Sequence, residues 1–130
     1  MRLYLAHDSS EKIRCSFFTV VIRNKALTQK YNGGLKGFMN KHSARCNNDI
    51  AVDCYMGGDI EDTIKDLTQN GLTIDEDFTV FDAESLCMEL IMDRDKAKIR
   101  HTVELGVGWL KAQFVKGEGF FVWYSGTNPA

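Results

Sequence analysis

The stretch Ile13 to Arg23 (IRCSFFTVVIR) constrains the fold more than any other part of the chain. Aromatic and β-branched side chains are stiff at χ1 and pack well on a pleated surface, so this run reads as a buried strand. Such a strand needs partners. Leu3 to Leu5 reads as a short strand beside it. Asp49 to Met56 (DIAVDCYM) reads as the next, with Ile50, Val52 and Cys54 alternating onto one face. Asp77 to Phe81 follows, and Gly106 to Phe114 and Gly119 to Tyr124 form a closing β-hairpin through Val115-Lys116-Gly117-Glu118.

Between the strands lie helical segments. Lys25 to Lys41 has helical composition, but Asn32-Gly33-Gly34 interrupts it. Each interior glycine costs a helix about 1 kcal/mol relative to alanine, which favours a short helix, a turn and a second helix from about Leu35. Asp59 to Gly71 is the clearest helix. Asp59 is placed to accept from the first-turn amides, Glu61 and Asp62 complement the positive end of the dipole, and Asn70-Gly71 supplies a left-handed stop. Ile60, Ile64 and Leu67 fall on one stripe. Ser85 to Arg100 fits a helix or a strand equally. The expected class is α+β: a mixed or largely antiparallel sheet, two main helices packed on one face, and a C-terminal β-hairpin.

With 130 residues, one proline (Pro129) and no repeat, the chain is expected to form one domain over 1–130. Its 44% hydrophobic and 26% charged composition argues against disorder. No apolar run approaches the roughly 20 residues of a membrane-spanning helix. The first residues turn polar too early for a signal peptide, so a cytoplasmic protein with reduced cysteines is expected. Cys15, Cys54 and Cys87 each sit among apolar residues, as free thiols in a core do.

Several constellations invite chemistry and fall short of it. His42 and Cys46 have a metal-ligand spacing and Cys54 lies near, but a structural zinc site needs four ligands and no second pair is present. Met56-Gly57-Gly58-Asp59 resembles a phosphate-binding helix entry, yet Asp59, Glu61 and Asp62 would repel an anion there. Asp75-Glu76-Asp77 and Asp93-Arg94-Asp95 lack the glycine and distal glutamate of a calcium loop. Ser9, Ser10, His7 and His101 carry no nucleophile signature. No catalytic residue, metal or cofactor is therefore expected. The terminal hairpin places Phe120, Val122 and Tyr124 on one face and Phe121 and Trp123 on the other. One set joins the core; the other needs cover from 85–100, from a partner, or from a second copy in a homodimer.

The charge distribution is the feature above background. From Glu11 to Cys46 there are eight bases and one acid; from Asp59 to Asp95 there are twelve acids and two bases. Turning the apolar stripe of the clear helix inward leaves Glu61, Asp62 and Asp66 outward, with Asp75-Glu76-Asp77 extending the surface. A clustered acidic face speeds association with a basic partner and disfavours direct contact with nucleic acid. The opposite outcome is that the two blocks meet in space and neutralise each other.

In size and style the chain resembles small bacterial toxin-immunity and phage anti-defence proteins. The resemblance is carried by Gly33-Gly34-Leu35 with Phe38, Met56 before the capped helix, Leu67 to Leu72, Trp109-Leu110 and the acidic stretch. It implies a protein-binding inhibitor that occludes a basic partner, such as a nuclease toxin, with Asp59, Glu61, Asp62, Asp66, Asp75, Glu76 and Asp77 as anchors. One alternative is a small-ligand protein or enzyme with a pocket between sheet and helices, using His42, His101 or Cys54. Another is nucleic-acid binding through the basic 12–45 region, with Tyr31 and Phe38 for stacking; it lacks an RNA-binding signature.

Overall fold

The computed structural model describes residues 2–6, 18–42, 44–55, 60–82, 101–115 and 119–128. In chain order these form β1 (Arg2–Ala6), β2 (Phe18–Arg23), α1 (Asn24–Lys30), α2 (Gly34–His42), β3 (Arg45–Cys46) and β4 (Ile50–Tyr55). They continue with α3 (Glu61–Gln69), β5 (Phe78–Asp82), β6 (His101–Glu104), β7 (Trp109–Val115) and β8 (Gly119–Ser125). The class is α+β with a C-terminal hairpin. The strands divide between two four-stranded sheets, ordered β3-β4-β2-β5 and β1-β8-β7-β6, and every strand pairing in both is antiparallel.

The buried run forms the hub of the first sheet. β2 has β4 on one side and β5 on the other, with Val20 opposite Asp53 and Val80, and Ile22 opposite Ala51 and Phe78. Thr19, Val20, Val21 and Ile22 are all at most 1% exposed, so both faces of this strand are covered. Val20, Ile22, Ala51 and Phe78 share one core with Leu27 of α1, Phe38 of α2, and Ile60 and Leu67 at α3. The helices therefore pack on one face of this sheet. Across the other face, the Tyr124 hydroxyl donates to Thr19 Oγ1 at 3.2 Å, and a Cβ on Gly108 would lie 3.7 Å from Ile50 Cγ2. Tyr124, Val122, Leu110 and Ala112 fall on that side of the second sheet and are all at most 2% exposed. The arrangement is three layers: helices, central sheet, hairpin sheet.

Two local expectations need amendment, and one strand is new. Leu3 to Leu5 does lie in a strand, but β1 pairs with β8 (Leu3 opposite Val122), not with β2. The N-cap of α3 is Ile60, which has no side-chain oxygen and makes no capping bond; Asp59 lies outside the described residues. β6 was not apparent in sequence, since His101 to Glu104 carries no distinctive strand pattern. Elsewhere the turn chemistry matches. Gly33 and Gly34 have φ of 88° and 66° between α1 and α2. At the end of α3, Gly71 (φ 87°) donates to the Thr68 carbonyl at 3.0 Å and Leu72 to that of Leu67 at 3.1 Å, a left-handed stop closed by two buried leucines. Ser85 to Arg100, Cys15, Cys87, Ser9, Ser10 and His7 lie outside the described residues.

Candidate functional site

Among the described residues the densest polar arrangement lies where α1, α2 and α3 meet the central sheet, and Asp66 is its centre. Asp66 sits beside the apolar stripe of α3, in line with Thr63 one turn before it and Asn70 one turn after it. Its Oδ2 accepts from the Tyr31 hydroxyl and from His42 Nε2 at 2.7 Å; its Oδ1 accepts from Lys41 Nζ at 3.0 Å. Its side chain is only 14% exposed. The expectation that Asp66 faces outward is therefore corrected: three donors supplied by the preceding basic segment draw it in. Asn70 closes the group, donating to the Asp66 carbonyl at 2.7 Å and accepting from the Asn32 amide at 2.9 Å.

These contacts explain two shifted acidities. Burial pushes the Tyr31 phenol up, and its hydrogen bond to a charged Asp66 pushes it further. Burial also pushes Asp66 up, but the hydrogen bonds from Tyr31, His42 and Lys41 outweigh it and hold the carboxyl below its ordinary value.

The other side of the His42 ring faces the central sheet. Nδ1 lies 3.4 Å from Thr63 Oγ1 and 3.8 Å from Asp53 Oδ2, while the ring rests 4.6 Å from that of Phe38. Thr63, His42 and Asp66 thus stand in hydroxyl, imidazole, carboxylate order, the order of a nucleophilic triad. The resemblance ends at access. Thr63 is 1% exposed and its hydroxyl also donates to Asp53 Oδ2 at 3.4 Å, so no substrate reaches it in this arrangement. The cluster ties α2 and α3 to β4. His42 directs its ring nitrogens to Asp66, Thr63 and Asp53, not to Cys46, which is exposed on β3. Among the described residues no group of three or more histidine, cysteine and acidic side chains is arranged to hold a metal.

The remaining predicted anchors separate into two kinds. Asp77 is buried: its Oδ2 takes Lys30 Nζ at 2.7 Å and the Thr73 amide at 2.8 Å, and these hydrogen bonds hold its carboxyl pKa below the ordinary value. Glu61, Asp62, Asp75 and Glu76 are exposed. Asp75 has a φ of 66°, accepts from Thr79 Oγ1 at 3.2 Å, and its amide donates to the Phe78 carbonyl at 2.6 Å. Arg23 Nε donates to the Glu76 carbonyl at 3.0 Å. The loop after α3 is thus held at several points, and it presents Ile74, a large apolar side chain left 50% exposed.

The two charge blocks meet at a boundary. Lys30 and Lys41 from the basic segment neutralise Asp77 and Asp66 from the acidic one, while among the described residues Arg23, Lys25, Lys36 and Arg45 on one side and Glu61, Asp62, Asp75 and Glu76 on the other stay exposed. Of the alternatives, the stacking pair is corrected: Tyr31 is 7% exposed and Phe38 is fully buried, with their rings 5.4 Å apart edge to face. On the outer face of the hairpin sheet, Lys111 Nζ covers Trp123 at 4.7 Å and Phe121 is 9% exposed, so much of the second aromatic set is already shielded. Among the described residues no helix is long and apolar enough to cross a membrane. Comparison with known proteins finds no matching family model, no matching curated sequence and no matching solved structure.

Proposed function

We propose that this chain is a protein-binding inhibitor of the immunity type, which covers the basic active site of a partner such as a nuclease toxin. The observation that carries this reading is the strip of outward side chains along α3 and the loop behind it. Glu61 and Asp62 stand at its start, Asp75 and Glu76 at its end, and half-exposed Ile74 lies beside the second pair. A helix of this length spans about 13 Å, so both acidic pairs fit within the roughly 800 Å² that one partner contributes to a standard interface. An apolar side chain beside acids, on a loop fixed by hydrogen bonds, suits an anchor surrounded by steering charges. Asp66 and Asp77 take no part, because they are occupied inward.

The test begins with capture of the tagged protein at low salt and identification of a stoichiometric basic partner. Association is then timed for wild type and for Glu61→Lys, Asp62→Lys, Asp75→Asn and Glu76→Lys combined, the asparagine being chosen because it tolerates positive φ. The on-rate should fall about tenfold or more at low salt, with the difference shrinking as salt rises. An unchanged on-rate at low salt removes the acidic strip from the reading.

A further inference from the structure

The basic residues of α1, α2 and β3 carry a second, independent inference. Between Arg23 and Asn48 the chain contains six bases and no acid, and all six (Arg23, Lys25, Lys30, Lys36, Lys41, Arg45) are exposed. Lys30 and Lys41 are tied to Asp77 and Asp66 at the boundary, and Arg23 leans on the Glu76 carbonyl. Lys25, Lys36 and Arg45 have no acidic partner among the described residues. Asp49, the next acid along the chain, sets its side chain beside Gly126, just past the end of β8.

The fold gathers these cations on consecutive elements. Asn24 donates from its side chain to the Asn47 carbonyl at 2.7 Å and from its amide to the Asp49 carbonyl at 2.9 Å. Those bonds hold the start of α1, with Lys25, against the segment that follows Arg45. Lys36 lies beyond the Gly33-Gly34 turn, near the far end of α1. The seven residues of α1 span about 10 Å, too far for these side chains to close on one phosphate. The polar side chains exposed among the bases are amides and one threonine, Gln29, Asn32, Asn40, Asn48 and Thr28, which donate hydrogen bonds without adding negative charge.

We infer that the exposed cations of α1, α2 and β3 bind the phosphate backbone of duplex nucleic acid. A duplex places one charge per about 1.7 Å of its axis, so spaced cations can each find a phosphate without a shaped pocket. Single strands are a poorer fit, because their binders add stacked aromatics, and Tyr31 at the end of α1 and Phe38 of α2 are buried. The contact is sequence-independent, since phosphate contacts carry no base information. This takes up the alternative that the basic segment offers in sequence, without its stacking aromatics, and is separate from the acidic face, where contact with nucleic acid is disfavoured. The exposed acids of that face, Glu61, Asp62, Asp75 and Glu76, lie on α3 and the loop after it.

The experiment is fluorescence anisotropy of the full chain with a labelled 20-base-pair DNA duplex (a length of roughly two helical turns), the single strand of the same length, and poly-glutamate as competitor. The duplex should bind in the micromolar range at low salt, with log K falling by about 0.9 per phosphate contact against log salt. Lys25→Gln, Lys36→Gln and Arg45→Gln together should lower that slope by about 2.7, three contacts' worth, while an unchanged melting temperature shows the fold intact. Neutralising Glu61 and Asp62 should leave the slope unchanged. Three results each overturn the inference: no duplex binding at 50 mM salt, a slope untouched by the triple substitution, or displacement by poly-glutamate at equal charge, which would assign the surface to an acidic protein.

Discussion

Asp66→Ala is the most informative single change to the fold. It removes one acceptor from three donors contributed by the α1–α2 segment. Lys41 is 59% exposed at its side chain and rehydrates, so its loss costs at most about 1 kcal/mol. Tyr31 is 7% exposed and the His42 side chain 12%, and each is left with a donor facing a vacated, mostly dry volume. A buried donor left unpaired costs about 1–3 kcal/mol, and partial entry of water places the total for this variant at about 2–4 kcal/mol. An unfolding entropy of about 2.1 cal/mol/K per residue converts each kcal/mol into about 4 °C for 130 residues, so Tm should fall by about 8–15 °C. Asp62→Ala, an exposed acid of the same helix, should move Tm by less than about 2 °C. Scanning calorimetry at pH 7 measures both.

The pH dependence supplies an internal control. Asp66 is held below its ordinary value in the folded state, so its stabilisation is fully present above about pH 4 and is lost as pH falls through the lowered value. The gap between wild type and Asp66→Ala should therefore narrow in acid. Equal Tm values for Asp66→Ala and Asp62→Ala at pH 7, or a gap that widens below pH 4, would refute the account of this cluster.

Other changes probe other layers. Asp77→Ala removes the acceptor of Lys30 and of the Thr73 amide, and by the same sign its cost of about 1–3 kcal/mol at pH 7 should fade below pH 4, read by urea denaturation at several pH values. Gly71→Ala and Gly108→Ala form a matched pair, because both glycines have φ near 88°. A Cβ at Gly71 meets open space and should cost about 1 kcal/mol of backbone strain, whereas at Gly108 it would lie 2.7 Å from the Ser125 carbonyl and should cost distinctly more. Tyr124→Phe deletes the hydroxyl that reaches Thr19 and should cost about 1 kcal/mol by chemical denaturation with no change in secondary structure by circular dichroism.

Much of the fold was legible because its signals are local. The β-branched run of β2, the glycine pair between α1 and α2, and the Asn70-Gly71 stop each act within a few residues. Asp66 was misplaced because a charged residue beside an apolar stripe reads as solvent-facing. The side chains that draw it inward, Tyr31 and His42, lie 35 and 24 residues away and leave no mark on the pattern of α3. The same reason hid the partner of β1: Leu3 faces Val122 across nearly the whole chain, and an isolated short strand carries no record of which edge it joins. The charge blocks were visible, but which of their described members pair at a boundary, Lys30 with Asp77 and Lys41 with Asp66, required the helices to be docked.

The central position of β2 also governs how the molecule opens. Its two neighbours arrive from different parts of the chain, β4 after the helical pair and β5 after α3, so both of its ladders are complete only when residues 78–82 have returned. Amide protons from Thr19 to Ile22 should then exchange with deuterium only when the whole structure comes apart, while those of the two-residue edge strand β3 escape through fraying. The slowest-exchanging amides would report the global unfolding free energy, from a strand that lies between two later-made neighbours.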